Sequence, residues 1–179
     1  AYPVDLLAWT CAGEVLHGRA LRRFTERRRD INRHFSRFGY DISAMMKPWS
    51  FGPYGRELQL LGEKRVNRNR LTANATAALM LWIARRRAPG SGAMMDLLQR
   101  PLDPPREDEN QVREFIGAAL PPGSRLWSKA GWTSEVRHDA AYIELPDGRK
   151  FVLVIFTRGQ AQDVTLVPEI ARQVLEITL

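Results

Sequence analysis

The run Lys129-Ala130-Gly131-Trp132 is the part of this sequence best placed to do chemistry. It closes the stretch Arg125 to Trp132, which reads as a β-strand, so a cation, two small residues and an indole follow one another along an extended backbone. Taken alone, Lys-x-Gly also fits a surface lysine before an ordinary turn. Carboxylates are the second resource. Glu57 opens Glu57-Leu58-Gln59-Leu60 inside a stretch broken by Pro and Gly, with Glu63 close behind as a rival. Thr10 offers a hydroxyl beside Cys11, the one cysteine, which excludes a disulfide within the chain and a Cys-rich metal site. Cys11 itself reads as a small buried side chain. His17, His34 and His138 are too scattered to suggest a metal site, and no Gly-rich phosphate loop precedes a helix. No metal and no cofactor is therefore expected.

The elements that must position these residues fall into two regions. Up to residue 120 the pattern is helical. Val4 to Arg29 reads as a helix broken near Gly13 or Gly18, and Asp30 as the cap of a second helix, Ile31 to Phe38, stopped by Gly39. Residues 40–70 read as an irregular loop. Thr72 is a good N-cap for Ala73 to Arg86, with Ala75, Leu79, Trp82 and Ile83 on its buried side. A short helix follows Pro89-Gly90-Ser91-Gly92, and Glu107 to Leu120 is expected to be helical until Pro121-Pro122-Gly123 stops it.

After Gly123 the period changes from helical to alternating. Strands are expected over 125–132, 138–145 and 150–157, the last two joined by the Pro146-Asp147-Gly148 turn. Val164 to Ile177 then forms a closing helix whose apolar face, with Val167, Ala171 and Val174, packs on the hairpin. Helices first, then three antiparallel strands and a last helix give an α+β fold. A chain of 179 residues, 44% of them hydrophobic, makes one domain the default: a helical part, 1–120, and a strand-and-helix part, 121–179. No run is long and apolar enough to span a bilayer.

Lys129-Ala130-Gly131, followed by His138-Asp139, a Pro-Asp-Gly turn, an apolar strand and a helix, resembles the last three strands of class A β-lactamases and penicillin-recognising serine hydrolases. The likeness extends upstream, through Asn69-Arg70-Leu71-Thr72-Ala73 to the Glu57-Leu58-Gln59-Leu60 loop. It implies that Lys129 sets a positive potential for a substrate carboxylate, that Gly131 lets substrate lie along the strand, and that the backbone by Trp132 supplies an oxyanion donor. Ala130 stands where the family has a hydroxyl residue. The resemblance further gives Glu57 the orienting of the water that removes an acyl group. By the same likeness Thr10 relays a proton in the family's Ser-x-Asn turn, where Ala12 replaces the amide. No Ser-x-x-Lys, the family's nucleophile and adjacent base, occurs in the sequence. The likeness thus covers roughly the C-terminal two thirds of a family domain. The chain also opens at Ala1 without an initiator methionine, and is expected to be a processed or excised piece.

Three functions follow as expectations. The first is hydrolysis of a β-lactam or peptide-like amide or ester through an acyl-enzyme, with the nucleophile supplied by a segment absent from these residues. A complementary chain or a second copy would then cover the sheet edge and helical layer left exposed. The second is a catalytically inactive relative that binds such ligands. The third is a basic nucleic-acid-binding helical domain. It rests on the net charge of +7 and the arginines between Arg19 and Arg37 alone. Glu26 and Asp30 interrupt that cluster, and no aromatic strand motif accompanies it, so a solvated helix face is the better reading and nucleic acid is not the expected partner.

Overall fold

A computed structural model of the chain describes residues 14–46, 53–103 and 111–178. It divides into two compact units, Ala1–Ala75 and Thr76–Leu179.

The first unit is built on α1, Gly18–Ser36. Phe24 and Arg28, one turn apart, turn the same side of α1 inward. The helix does not break before Ile31 as expected. Asp30 instead accepts from Arg33 at 2.6 Å, and Glu26 takes Arg29 at 2.5 Å and Arg33 at 3.3 Å. Such pairs, three residues apart or a turn further, support an exposed helix through the predicted junction. Gly39 does end it: at φ +76° it donates to Ser36 O, and Tyr40 N–H reaches back to Phe35 O. That pair of bonds is a Schellman closure, which favours a residue without a Cβ.

Residues 40–70, read from sequence as irregular, hold more order than their Pro and Gly content suggests. Strand β1 (Ile42–Ser43) pairs antiparallel with β2 (Arg70–Leu71), and α2 spans Gly55–Leu61. Amide side chains supply further pairing. Gln59 bonds both the N–H and the C=O of Leu16 at 2.8 Å, and Asn69 does the same for Met46 at 2.9 Å. Phe24, Met45, Met46, Leu60 and Leu61 form the apolar core of this unit. Thr72 Oγ1 accepts the Ala75 N–H at 3.2 Å and caps α3, Ala73–Ala84, as its sequence promised.

In the second unit, α3 closes without glycine. Arg86 adopts φ +57°, with Arg86 N–H bonded to Ile83 O and Arg87 N–H to Trp82 O. Helix α4 (Ser91–Leu98) leads into β3 (Gln99–Arg100), a short strand with no sequence signal. The sheet runs β3-β4-β5-β6, antiparallel throughout, with β4 Arg125–Trp132, β5 Val136–Glu144 and β6 Lys150–Arg158. Helix α5, Leu166–Thr178, packs Val167 and Ala171 into the core made by Val112, Phe115, Ile116, Leu126, Ala130, Ala141, Ile143, Leu145 and Ile155.

The helix expected over Glu107 to Leu120 is corrected in its described part. Residue 111 is in 3-10 conformation, 112–115 are turn and bend, and a 3-10 turn, Ile116–Ala119, follows. Phe115 is extended, at φ −137° and ψ −165°, and the Ile116 N–H goes to Asp139 Oδ2 at 3.1 Å rather than to a carbonyl four residues back. The segment trades helical bonds for a place in the core, where Val112, Phe115 and Ile116 are all buried. Gly117 permits this close approach: a Cβ there would lie 2.6 Å from Val112 Cγ1 and 3.0 Å from Leu126 Cδ2. Gly117→Ala should therefore cost about 1–3 kcal/mol, as overpacking does. A denaturant melt showing unchanged stability would contradict this packing.

Candidate active site

Strand β4 carries the candidate residues on two faces, because side chains alternate along a strand. Leu126 and Ala130 point into the core, while Lys129 and Gly131 are exposed on the opposite face. Lys129 Nζ donates to Ala130 O. Ala130 is 2% exposed and its methyl belongs to the core, so the backbone is what this residue has to offer a ligand. Around Gly131 there is open space, with no atom within 4 Å of where a Cβ would stand. Trp132, 44% exposed, leans on Phe115 with ring centroids 5.7 Å apart.

The edge itself is half open. β3 pairs Gln99 with Trp127 and Arg100 with Leu126, and goes no further. From Ser128 to Trp132 the outer side of β4 has no strand partner among the described residues. On the inner side β5 sets Ala140 opposite Lys129, Asp139 opposite Ala130, His138 opposite Gly131 and Arg137 opposite Trp132.

Three of those β5 residues are polar. Asp139 is 1% exposed; Oδ2 accepts the Ile116 N–H, and Oδ1 is buried without a hydrogen bond among the described residues. Burial raises its pKa from 3.8 to about 6, against the lowering by the Ile116 and Ala140 N–H groups and the charges of Lys129 and Arg100. Arg137 is buried too. Its Nη1 meets Glu114 Oε2 at 3.0 Å, its Nε donates to Ala161 O at 3.0 Å, and its guanidinium lies 5.0 Å from the Phe115 ring centroid. Arg137 was not among the residues singled out from sequence. The signal was present, since 137, 139, 141 and 143 share the inward phase of β5 and an arginine in that phase needs buried partners.

Glu57 belongs to the first unit and is no solvated surface residue. On α2 it is 1% exposed, and Oε1 accepts from Arg28 Nη2, while Arg28 Nη1 donates to Met45 O at 3.0 Å. Burial pushes the Arg28 guanidinium below its ordinary value. The Glu57 charge opposes that shift, and neighbouring Arg56 adds to it. The rival Glu63 is exposed in a 3-10 turn, Glu63–Arg65. Thr10, Cys11 and Ala12 lie outside the described residues. Of the α1 arginines, Arg28 alone turns fully inward, and Arg29 and Arg33 are engaged by Glu26 and Asp30. Among the described residues no group of three or more His, Cys, Asp or Glu could hold a metal ion, and no helix is long and apolar enough to cross a membrane.

The buried charges can be tested by substitution. Arg28→Met strands the Glu57 carboxylate and should cost about 3–5 kcal/mol in a chemical melt, with much of that recovered in Arg28→Met/Glu57→Leu. Equal stability of Arg28→Met and the parent protein would refute the pairing. Asp139 works with the opposite sign to a salt-bridged carboxylate: raised in the folded state, it binds more protons there than in the unfolded chain. Its stabilising contribution is full below a pH of 3.8 and disappears as pH rises to about 6. Relative to Asp139→Asn, the parent protein should lose up to about 3 kcal/mol over that interval. Parallel pH profiles of the two would exclude the buried, proton-holding Asp139.

Residues 20–178 match the family described as the beta-lactamase enzyme family. Solved structures of similar fold include a point mutant of PBP-A in an acyl-enzyme complex with penicillin G, at 18% identity and TM-score 0.58. They also include a β-lactamase from Sphaerobacter thermophilus DSM 20745, at 22% and 0.59, and the TLA-3 extended-spectrum β-lactamase, at 14% and 0.58. These matches cover 83%, 83% and 86% of this chain. They cover 50%, 52% and 55% of the respective neighbours, so the chain spans about half the length of the structures it resembles. Among curated proteins no match was found.

Proposed function

Because this chain belongs to the beta-lactamase enzyme family, we propose that it supplies the ligand-binding edge of a serine hydrolase acting on β-lactam or peptide-like amides and esters through an acyl-enzyme. The observation that carries the reading is the half-open edge of β4, with Lys129 and Gly131 on one exposed face. Lys129 holds the substrate carboxylate by charge, and Gly131 leaves room for the substrate to run along the strand. Backbone N–H groups at the end of β4 serve the oxyanion, a preorganised donor that needs no particular side chain. Glu57 orients the water for deacylation, and Thr10 passes a proton to the leaving group. The nucleophilic serine comes from a segment outside these 179 residues, since no Ser-x-x-Lys is among them. In this reading the chain forms one β-lactamase-like domain that a complementary chain or second copy completes, and β6 offers that partner the other side of the sheet.

A second reading, a binding domain without catalysis, draws on Ala130. With its methyl in the core, this position contributes no hydroxyl to a carboxylate, which removes a hydrogen bond worth roughly 0.5–1.5 kcal/mol.

Intact-mass analysis of the natural polypeptide after incubation with penicillin separates the two. The hydrolase reading expects one covalently added penicillin per molecule, with slower labelling in Lys129→Ala. The binding reading expects no added mass and saturable reversible binding that Lys129→Ala weakens. Neither labelling nor binding would overturn both.

A further inference from the structure

The positive charge of this chain is concentrated at one end of the sequence. Residues 1–75 hold 14 lysines and arginines against 7 carboxylates, and residues 76–179 hold 13 of each, so the whole formal charge of +7 falls within the first unit. An arginine-rich composition alone would charge both units alike. Within the first unit most described carboxylates are already engaged. Glu26 and Asp30 hold Arg29 and Arg33, Asp41 holds Arg70 at 3.2 Å, and Glu57 is buried against Arg28. Two groups of exposed cations form no ion pair among the described residues. Arg19, Arg22 and Arg23 occupy the first two turns of α1, and Lys64, Arg65 and Arg68 occupy the turn after α2.

The fold gains nothing from these cations where they stand. No acidic residue shares the first turn of α1, and that end of the helix dipole disfavours positive charge. Lys64 and Arg65 both adopt the left-handed region, at φ 53° and 57°, which is unfavourable for any residue with a Cβ. The turn they make leaves Val66 73% exposed between Arg65 and Arg68. The two groups flank one junction, because the Gln59 side chain on α2 bonds the N–H and C=O of Leu16, just ahead of α1, at 2.8 Å.

We propose that this basic end of the first unit docks on an anionic lipid surface, with its cations on headgroup phosphates and Val66 at the edge of the acyl chains. An exposed apolar side chain set among cations suits that interface, where charge attracts and the apolar group is buried. Single-stranded nucleic acid calls instead for aromatic stacking, and the segments 18–33 and 62–71 contain no aromatic residue except the buried Phe24. The attachment is peripheral and involves no span.

Flotation of the full polypeptide with vesicles of phosphatidylcholine, alone or mixed equally with phosphatidylglycerol, tests this. The protein should bind the mixed vesicles, ignore the neutral ones, and weaken as salt shortens the reach of its charges. Arg19→Glu/Arg22→Glu/Arg23→Glu and Lys64→Glu/Arg65→Glu should each lower affinity at least about ten-fold. The triple change places acids at the favourable end of α1, so its melting temperature should hold or rise while binding falls. Val66→Asn should remove the binding that survives at high salt. Arg158→Glu/Arg172→Glu, an equal change of charge on the second unit, should leave binding nearly unaltered. Equal loss in that control would make net charge the cause and overturn the assigned surface. Absence of binding to mixed vesicles at low salt overturns the proposal outright. A DNA duplex that displaces the protein from vesicles at equal phosphate concentration reassigns the surface to nucleic acid and overturns the lipid partner.

Discussion

Along β4 every second side chain must enter the core, and the register with β5 decides which ones do. Ala130 opposite Asp139, and Leu126 opposite Ile143, fix the inward phase. Lys129 and Gly131 are thereby fixed outward, because a slip by one residue would bury the lysine and expose the core. Gly117 reinforces the phase by giving up a side chain where Val112 and Leu126 close in. The placement of a charged group at the sheet edge therefore follows from apolar packing on the opposite face of the same strand.

The same economy explains the two buried carboxylates. Asp139 replaces a helical acceptor for the Ile116 N–H, which ties the segment after residue 111 to the sheet and holds Phe115 against Trp132 and Arg137. Glu57 on α2 faces Arg28 on α1, and Arg28 is held in turn by Met45 O and lies over the Phe24 ring. Each of these carboxylates is costly to bury alone and is accepted because a specific partner meets it. Glu57 is thus restrained in position by Arg28.

Much of the second unit was legible in the residues. β4 has the expected limits, β5 and β6 begin and end within two residues of theirs, and the Pro146-Asp147-Gly148 turn lies where Leu145 bonds Arg149. Alternation and a strong turn carry that information locally. Gly39 and Thr72 were equally readable because a cap is a property of a few adjacent residues. What escaped was set by contacts distant in sequence. β3 is too short to show a period and exists because β4 lies beside it. The helix expected over Glu107 to Leu120 gave way, in its described part from residue 111, to the Asp139 acceptor, 23 residues beyond Ile116. The split expected at Asp30 ignored the Arg33 and Glu26 pairs, and Arg28 looked like one more surface arginine until Glu57 was placed against it. Of the site, the Lys129 edge was visible as a motif, whereas the burial of Ala130 and Arg137 and the Gly131–His138 pairing needed the strand register.

Amide hydrogen exchange along Ser128 to Trp132 tests the central claim most directly. An open outer edge predicts alternation: amides bonded to β5 are protected, those pointing away exchange at near-solvent rates, and a carboxylate ligand lying along the strand slows the second set. Uniform protection of all these amides in the ligand-free protein would show the edge already covered, and would contradict a ligand site there.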